Sequence, residues 1–221
     1  MEIVGCAGAA ALVGGFGPWV IGRLPEPEEP AEGKALYADI ARPRWLAPFL
    51  AVFAGTLAGV VAWRVESAAV LPVWVAVCGV GAWLAYIDWR TRLLPYLVVA
   101  PLYLTVVALT VLGAWIADDW GIAVRAAVAN IVVFAVFWLM HLIGRRLGQS
   151  FGYGDVRLAT VLAVALGPFG ATSTLVGLYA GFVIGAVAGI ALSAARLTDK
   201  GTFAFGPYLI LGAVVGACWP S

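Results

Sequence analysis

Eight apolar runs follow one another along the chain, at 3–22, 45–63, 69–87, 96–117, 121–143, 156–169, 171–195 and 203–219, separated by short polar breaks. A bilayer core takes about 20 apolar residues per helix. Inside lipid, every backbone N–H and C=O must be bonded within its own helix or within a closed barrel. Barrel strands alternate apolar and polar positions. These runs are continuous, so the pattern predicts an all-α, polytopic membrane helix bundle of about eight spans, forming a single domain over residues 1–221. The sixth run is short and ends at Gly167-Pro168, which predicts a tight hairpin with the seventh. The long break, 23–44, carries Glu26, Glu28, Glu29 and Glu32 among prolines. It reads as a solvated connector within the domain, with a short amphipathic helix near Leu36 to Ile40.

Composition agrees with this pattern. The chain has 221 residues, 63% hydrophobic and 11% charged, with a mean hydropathy of +1.00. Soluble domains carry about 25% charged residues, so the lipid bilayer is the expected surrounding. Net charge is +1 without a basic tract, which excludes nucleic acid as a partner. Cys6, Cys78 and Cys218 lie in apolar segments without metal-ligand spacing and read as small buried residues. The N-terminus begins Met-Glu rather than with a basic region, so the first run reads as a retained helix.

Orientation follows from the cations. With the N-terminus outside, the inner loops and helix ends hold Arg23, Lys34, Arg42, Arg44, Arg90, Arg92, Arg145, Arg146, Arg157, Arg196 and Lys200, leaving Arg64 and Arg125 outside. That asymmetry satisfies the positive-inside rule. It places Asp88 and Asp155 at the cytoplasmic face, and Asp118 and Asp119 at the other. Gly177, Gly181, Gly185 and Gly189 put a groove of small residues on one face of the seventh helix, and Gly55 and Gly59 a shorter one on the second. Such faces serve internal helix packing, with a homodimer seam as the second reading. Trp45, Trp63, Trp120 and Trp219 fall near helix ends, as interfacial residues do. His141, alone inside the fifth run, reads as a packing residue.

Two carboxylates carry the candidate chemistry. Asp88 closes the apolar run that ends at Ile87, and Asp155 opens the run that begins at Val156. Peptide hydrolysis without a metal or a covalent nucleophile needs water activated and the leaving amine protonated. Two adjacent carboxyls sharing one proton do both, and they titrate as a pair. The pattern therefore points to an aspartyl protease at one membrane face, without saying which aspartate is base and which is acid. Gly152 and Gly154 flank Tyr153 and would let a substrate backbone come close to Asp155. Taken singly, Asp155 also reads as a helix N-cap, and Asp88 as a helix-end residue paired with Arg90 or Arg92. Pro95 suits the first turn of the next helix. Arg157 is assigned to lipid headgroups, because an ion pair with Asp155 would hinder proton sharing.

Three stretches in this order resemble the bacterial prepilin peptidases, or type IV leader peptidases. They are Tyr86-Ile87-Asp88-Trp89-Arg90-Thr91-Arg92-Leu93-Leu94-Pro95, then Phe151-Gly152-Tyr153-Gly154-Asp155-Val156-Arg157-Leu158 with its GxGD pattern, then Phe205-Gly206-Pro207-Tyr208-Leu209. Arg23-Leu24-Pro25 adds a weaker fourth. The resemblance implies cleavage of prepilin or pseudopilin leaders on the cytoplasmic side of a bacterial inner membrane, typically after a glycine, during pilus biogenesis or protein secretion. It makes Asp88 and Asp155 the catalytic pair, with Thr91, Pro95, Arg157, Gly206 and Pro207 as supporting positions. Larger members hold zinc with two CxxC pairs in the first cytoplasmic loop. Loop 23–44 has no cysteine, so no metal is expected. Many members also N-methylate the new terminus with S-adenosylmethionine, which stays open here because no glycine-rich nucleotide motif is visible. Tyr96 stands where the family often has Asp or Asn after the proline. Two alternatives are a transporter relaying protons through its acids and an inactive pilin-binding scaffold.

Overall fold

The computed structural model describes residues 2–26, 35–147, 152–194 and 204–219. Glu28, Glu29, Glu32, Lys34, Phe151, Arg196 and Lys200 lie outside the described residues. The described chain is all helical: α1 (Glu2–Gly15), α2 (Gly17–Ile21), α3 (Tyr37–Ile40), α4 (Leu46–Arg64), α5 (Leu71–Thr91), α6 (Tyr96–Ile116), α7 (Trp120–Arg146), α8 (Tyr153–Leu166), α9 (Ala171–Ala194) and α10 (Gly206–Ala217). Short 3₁₀ turns at Ala68–Val70 and Gly167–Phe169 lead into α5 and out of α8.

Each predicted apolar run is helical, and six segments are long and apolar enough to cross a membrane: Glu2–Ile21, Leu46–Arg64, Ala68–Thr91, Tyr96–Ile116, Trp120–Arg146 and Ala171–Ala194. The other two, α8 and α10, have 14 and 12 residues. At about 1.5 Å per residue they fall short of a hydrocarbon core about 30 Å thick. Their shortness has a packing cause. Nine residues of α8 are buried, including all of Val161–Leu166, because α6, α7, α9 and α10 surround it. A helix enclosed by protein need not match the thickness of the bilayer.

Glycine lets several of these helices meet backbone to backbone. A methyl on Gly216 would approach Ser173 O to 2.5 Å and Gly177 N to 2.8 Å, and one on Gly212 would collide with the Gly177 and Gly181 backbones. On Gly185 it would meet the Phe205 ring at 2.9 Å. The α9 face of Gly177, Gly181 and Gly185 is thus filled by α10 within the monomer. Gly55 is filled likewise by Ala7 and Ala11 of α1. The chain reverses at Gly170 (φ 97°), as the predicted hairpin requires, yet α9 packs mainly on α10 rather than on α8.

The first span breaks between Gly15 and Gly17. Pro18 has no N–H to give the Gly14 carbonyl. Trp83 of α5 takes over, its Nε1–H shared between Val13 O and Gly14 O, each at 3.1 Å. Near the connector, the Glu26 carboxylate accepts from the N–H of Tyr37 (3.0 Å) and of Ala38 (2.9 Å), which caps the single turn of α3.

The helix ends form two rims. At one, Arg64 reaches Cys218 O and Arg125 donates to Pro168 O at 3.1 Å. At the other lie the end of α5, the starts of α6, α8 and α10, and the end of α7, together with Arg90, Arg92, Arg145, Arg146 and Arg157. Arg64 and Arg125 thus lie at the rim opposite Arg90, Arg92, Arg145, Arg146 and Arg157. Trp45, Trp63, Trp120 and Trp219 are exposed near helix ends.

Candidate active site

Asp88 sits in the last turn of α5, since the helix runs one turn beyond the apolar run, to Thr91. Two local bonds extend it. Thr91 Oγ1 donates back to Ile87 O at 2.8 Å, and Arg92, in a left-handed conformation (φ 56°), donates its N–H to Asp88 O at 2.7 Å. Pro95 is therefore the N-cap of α6 rather than a first-turn residue. α5 is the most buried of the six spans, and Asp88 is only 5% exposed. Its Oδ2 accepts the backbone N–H of Gly206 at 2.7 Å. Gly206 is the first residue of α10, where the N–H has no intrahelical partner. Pro207 follows it, and the first turn tolerates its missing donor.

Asp155 is the third residue of α8. The N-cap is Gly152, so the capping alternative for Asp155 does not hold. Neither Gly152 nor Gly154 has a positive φ. What glycine supplies at 154 is clearance: a methyl there would lie 2.9 Å from Leu94 Cβ. The space read from sequence as room for a substrate backbone is filled by Leu94, which lays the α5–α6 connection against the start of α8. Gly152 is exposed, and a methyl on it would lie 2.8 Å from Asp155 Oδ2.

The fold thus carries Asp88 and Asp155, 67 positions apart in sequence, into electrostatic reach of each other at one rim. Asp155 lies outside the six spans. Burial, and after it the neighbouring Asp88 carboxyl, push the Asp155 carboxyl from 3.8 up to about 7. Two carboxyls in reach of each other, one of them shifted toward its protonated form, are able to share a proton.

Arg157 makes no described ion pair with Asp155. Its guanidinium lies over the Tyr153 ring at 4.2 Å and the Tyr96 ring at 4.8 Å. Tyr153 also meets Trp138 and His141, each at 5.6 Å between ring centres. This aromatic group ties α8 to α6 and α7, and Tyr96, a departure in the sequence, is one of its members. Beside the end of α5 opens a cavity of about 360 Å³, lined by Trp45, Phe49, Tyr86, Trp89, Arg90 and Pro207 among others. Among the described residues no group of three or more His, Cys, Asp or Glu side chains is placed to hold a metal ion. Cys6, Cys78 and Cys218 are free thiols.

Sequence reasoning missed the contacts of Gly206, Leu94 and Tyr96 with the site. Only the apposition of α5, α6, α8 and α10 reveals them.

A family model described as the type IV leader peptidase family matches residues 75–193, more than half of the chain. The matched stretch contains Asp88, Thr91, Pro95, Gly152, Gly154, Asp155 and Arg157, and ends before Gly206. No curated protein and no solved structure matches the chain.

Proposed function

The chain belongs to the type IV leader peptidase family, and from that premise we propose that it is an intramembrane aspartyl endopeptidase that cleaves the leader of a prepilin or pseudopilin. The observation that carries the aspartyl reading is the pair itself: Asp88, buried and bonded to Gly206 N–H, lies close enough to Asp155 to help raise its carboxyl to about 7. One carboxylate takes a proton from water while the water oxygen bonds to the scissile carbonyl carbon. The other carboxylic acid delivers its proton to the leaving nitrogen as the C–N bond breaks.

Position supports the rest of the reading. The pair sits at the rim that carries Arg90, Arg92, Arg145, Arg146 and Arg157, the side the positive-inside rule assigns to the cytoplasm of a bacterial inner membrane. A leader ending there, followed by an apolar segment in the bilayer, would bring its junction to the aspartates. N-methylation with S-adenosylmethionine is a separate activity that the same experiment reads.

The test is cleavage of a panel of prepilins and pseudopilins by the reconstituted protein, read by mass spectrometry, with Asp88→Asn and Asp155→Asn as controls. The expected result is a new N-terminus just after the leader, absent with either variant. A further mass gain of one methylene on adding S-adenosylmethionine would establish methylation. Normal cleavage by either variant would sink the aspartyl mechanism.

A further inference from the structure

The two aspartates are not equivalent in their surroundings, and the difference lies in α10. Resting on the aspartyl reading above, we propose that Gly206 is a positioning residue: its N–H holds Asp88 as the carboxylate of the pair. Asp88 is then the base that takes the proton from water, and Asp155 the acid that protonates the leaving nitrogen.

Geometry carries the assignment. The Gly206 N–H donates to Asp88 Oδ2 at 2.7 Å. A hydrogen bond made to the charged form favours that form. The donor also belongs to the first turn of the 12-residue α10, whose N-terminal end carries partial positive charge. One carboxylate oxygen is thereby fixed. The contact admits only glycine without rearrangement. A methyl at 206 would stand 2.9 Å from Oδ2 and 3.3 Å from both Asp88 Cβ and Cγ. So the absence of a side chain and the free N–H of the same residue serve one contact.

Asp155 has no counterpart. It too lies in a first turn, that of α8, and the end of that helix also favours negative charge there. Yet no described donor bonds its side chain, and burial with the Asp88 charge displaces it toward the protonated form. The titratable and charged groups that the neighbouring elements bring toward this end of α5 are Asp155 and Arg157 from α8, Tyr208 from α10, Tyr96 from α6, and Tyr37 and Asp39 from α3. Arg90 and Arg92 close α5 itself. Asp155 is the acid among them that stands next to Asp88, and so the one to carry the shared proton. In turnover the water O–H breaks toward Asp88, hydroxide adds to the carbonyl carbon, and the Asp155 proton goes to nitrogen. Proton transfer from Asp88 to Asp155 restores the starting state.

The experiment is the pH–rate profile of prepilin cleavage by reconstituted wild type, Gly206→Ala and Gly212→Ala. Gly212→Ala disturbs the same helix where it packs on Gly177 and Gly181, away from Asp88. In Gly206→Ala, kcat should fall on the order of 10- to 100-fold, the scale of a lost hydrogen bond to a charged group, and the acidic limb should move to higher pH. Gly212→Ala should lower the folded yield and leave the limb in place. An unmoved limb in Gly206→Ala, with both Asp→Asn variants dead, overturns the assignment but not the aspartyl mechanism. Cleavage by either Asp→Asn variant overturns the mechanism instead. If Gly206→Ala does not fold, infrared spectra of aspartate-labelled protein decide. The protonated-carboxyl band should survive Asp88→Asn and vanish in Asp155→Asn, and the reverse pattern overturns the proposal.

Discussion

Replacing Asp155 by Asn should stabilise the fold while it abolishes cleavage, and the gain should depend on pH. In the folded state the Asp155 carboxyl sits at about 7, against an ordinary 3.8. Between those values the folded protein keeps a proton that the unfolded chain has released. Stability is therefore fully present below about pH 4, declines as pH rises through the window up to about 7, and levels off above it. Each tenfold change in proton affinity is worth about 1.4 kcal/mol, so charging Asp155 in place costs roughly 4 kcal/mol. Asn is nearly isosteric and cannot ionise, but it brings an NH₂ group that needs a partner, which offsets part of the gain. The expected excess stability of Asp155→Asn is thus about 2–4 kcal/mol at pH 8, and about 0 to −2 kcal/mol at pH 4, where only the pH-independent amide penalty remains. Detergent denaturation followed by helicity at pH 4, 6 and 8 measures it, and labelling of the buried Cys78 thiol gives an independent readout of opening. A variant no more stable than wild type at pH 8, or a gap that does not close on acidification, would refute the reasoning.

Two further outcomes follow from contacts outside the pair. Trp83→Phe keeps an aromatic ring at the position, though a smaller one, and withdraws the donor from Val13 O and Gly14 O. Val13 O keeps the Phe16 N–H at 3.1 Å, so the change should cost about 1–3 kcal/mol for the Gly14 carbonyl left unpaired in an apolar surrounding, read by the same denaturation series, and an unchanged midpoint would show that the break in the first span satisfies itself. Arg157→Lys keeps the charge but loses the planar group lying over Tyr153 and Tyr96. With cation–π contacts worth about 0.5–2 kcal/mol, it should loosen the start of α8 and lower kcat several-fold, whereas full activity would reduce Arg157 to a surface cation.

Much of the architecture was legible because lipid leaves a chain few options. Continuous apolar runs could only be helices, and the cations marked two rims before any packing was known. Helix length was less legible. Nothing in 156–169 says that α8 is buried on all sides, because a helix facing lipid and a helix facing protein are both apolar. The glycines of α9 announced close packing but not its partner; Gly212 and Gly216 of α10 supply it. Asp155 read equally well as a cap, since an aspartate before an apolar run is a common helix start, and only the backbone at Gly152 decided otherwise.

The sequence by itself determined the class of molecule, the aspartates at one face and the family, since these depend on composition, order and local spacing. The tertiary structure decided how the pair is poised. It placed Gly206 against Asp88, Leu94 against Gly154, and Arg157 between Tyr96 and Tyr153. These are contacts between segments far apart in the chain, fixed by how α5, α6, α8 and α10 pack together, and no local pattern encodes a distance of that kind.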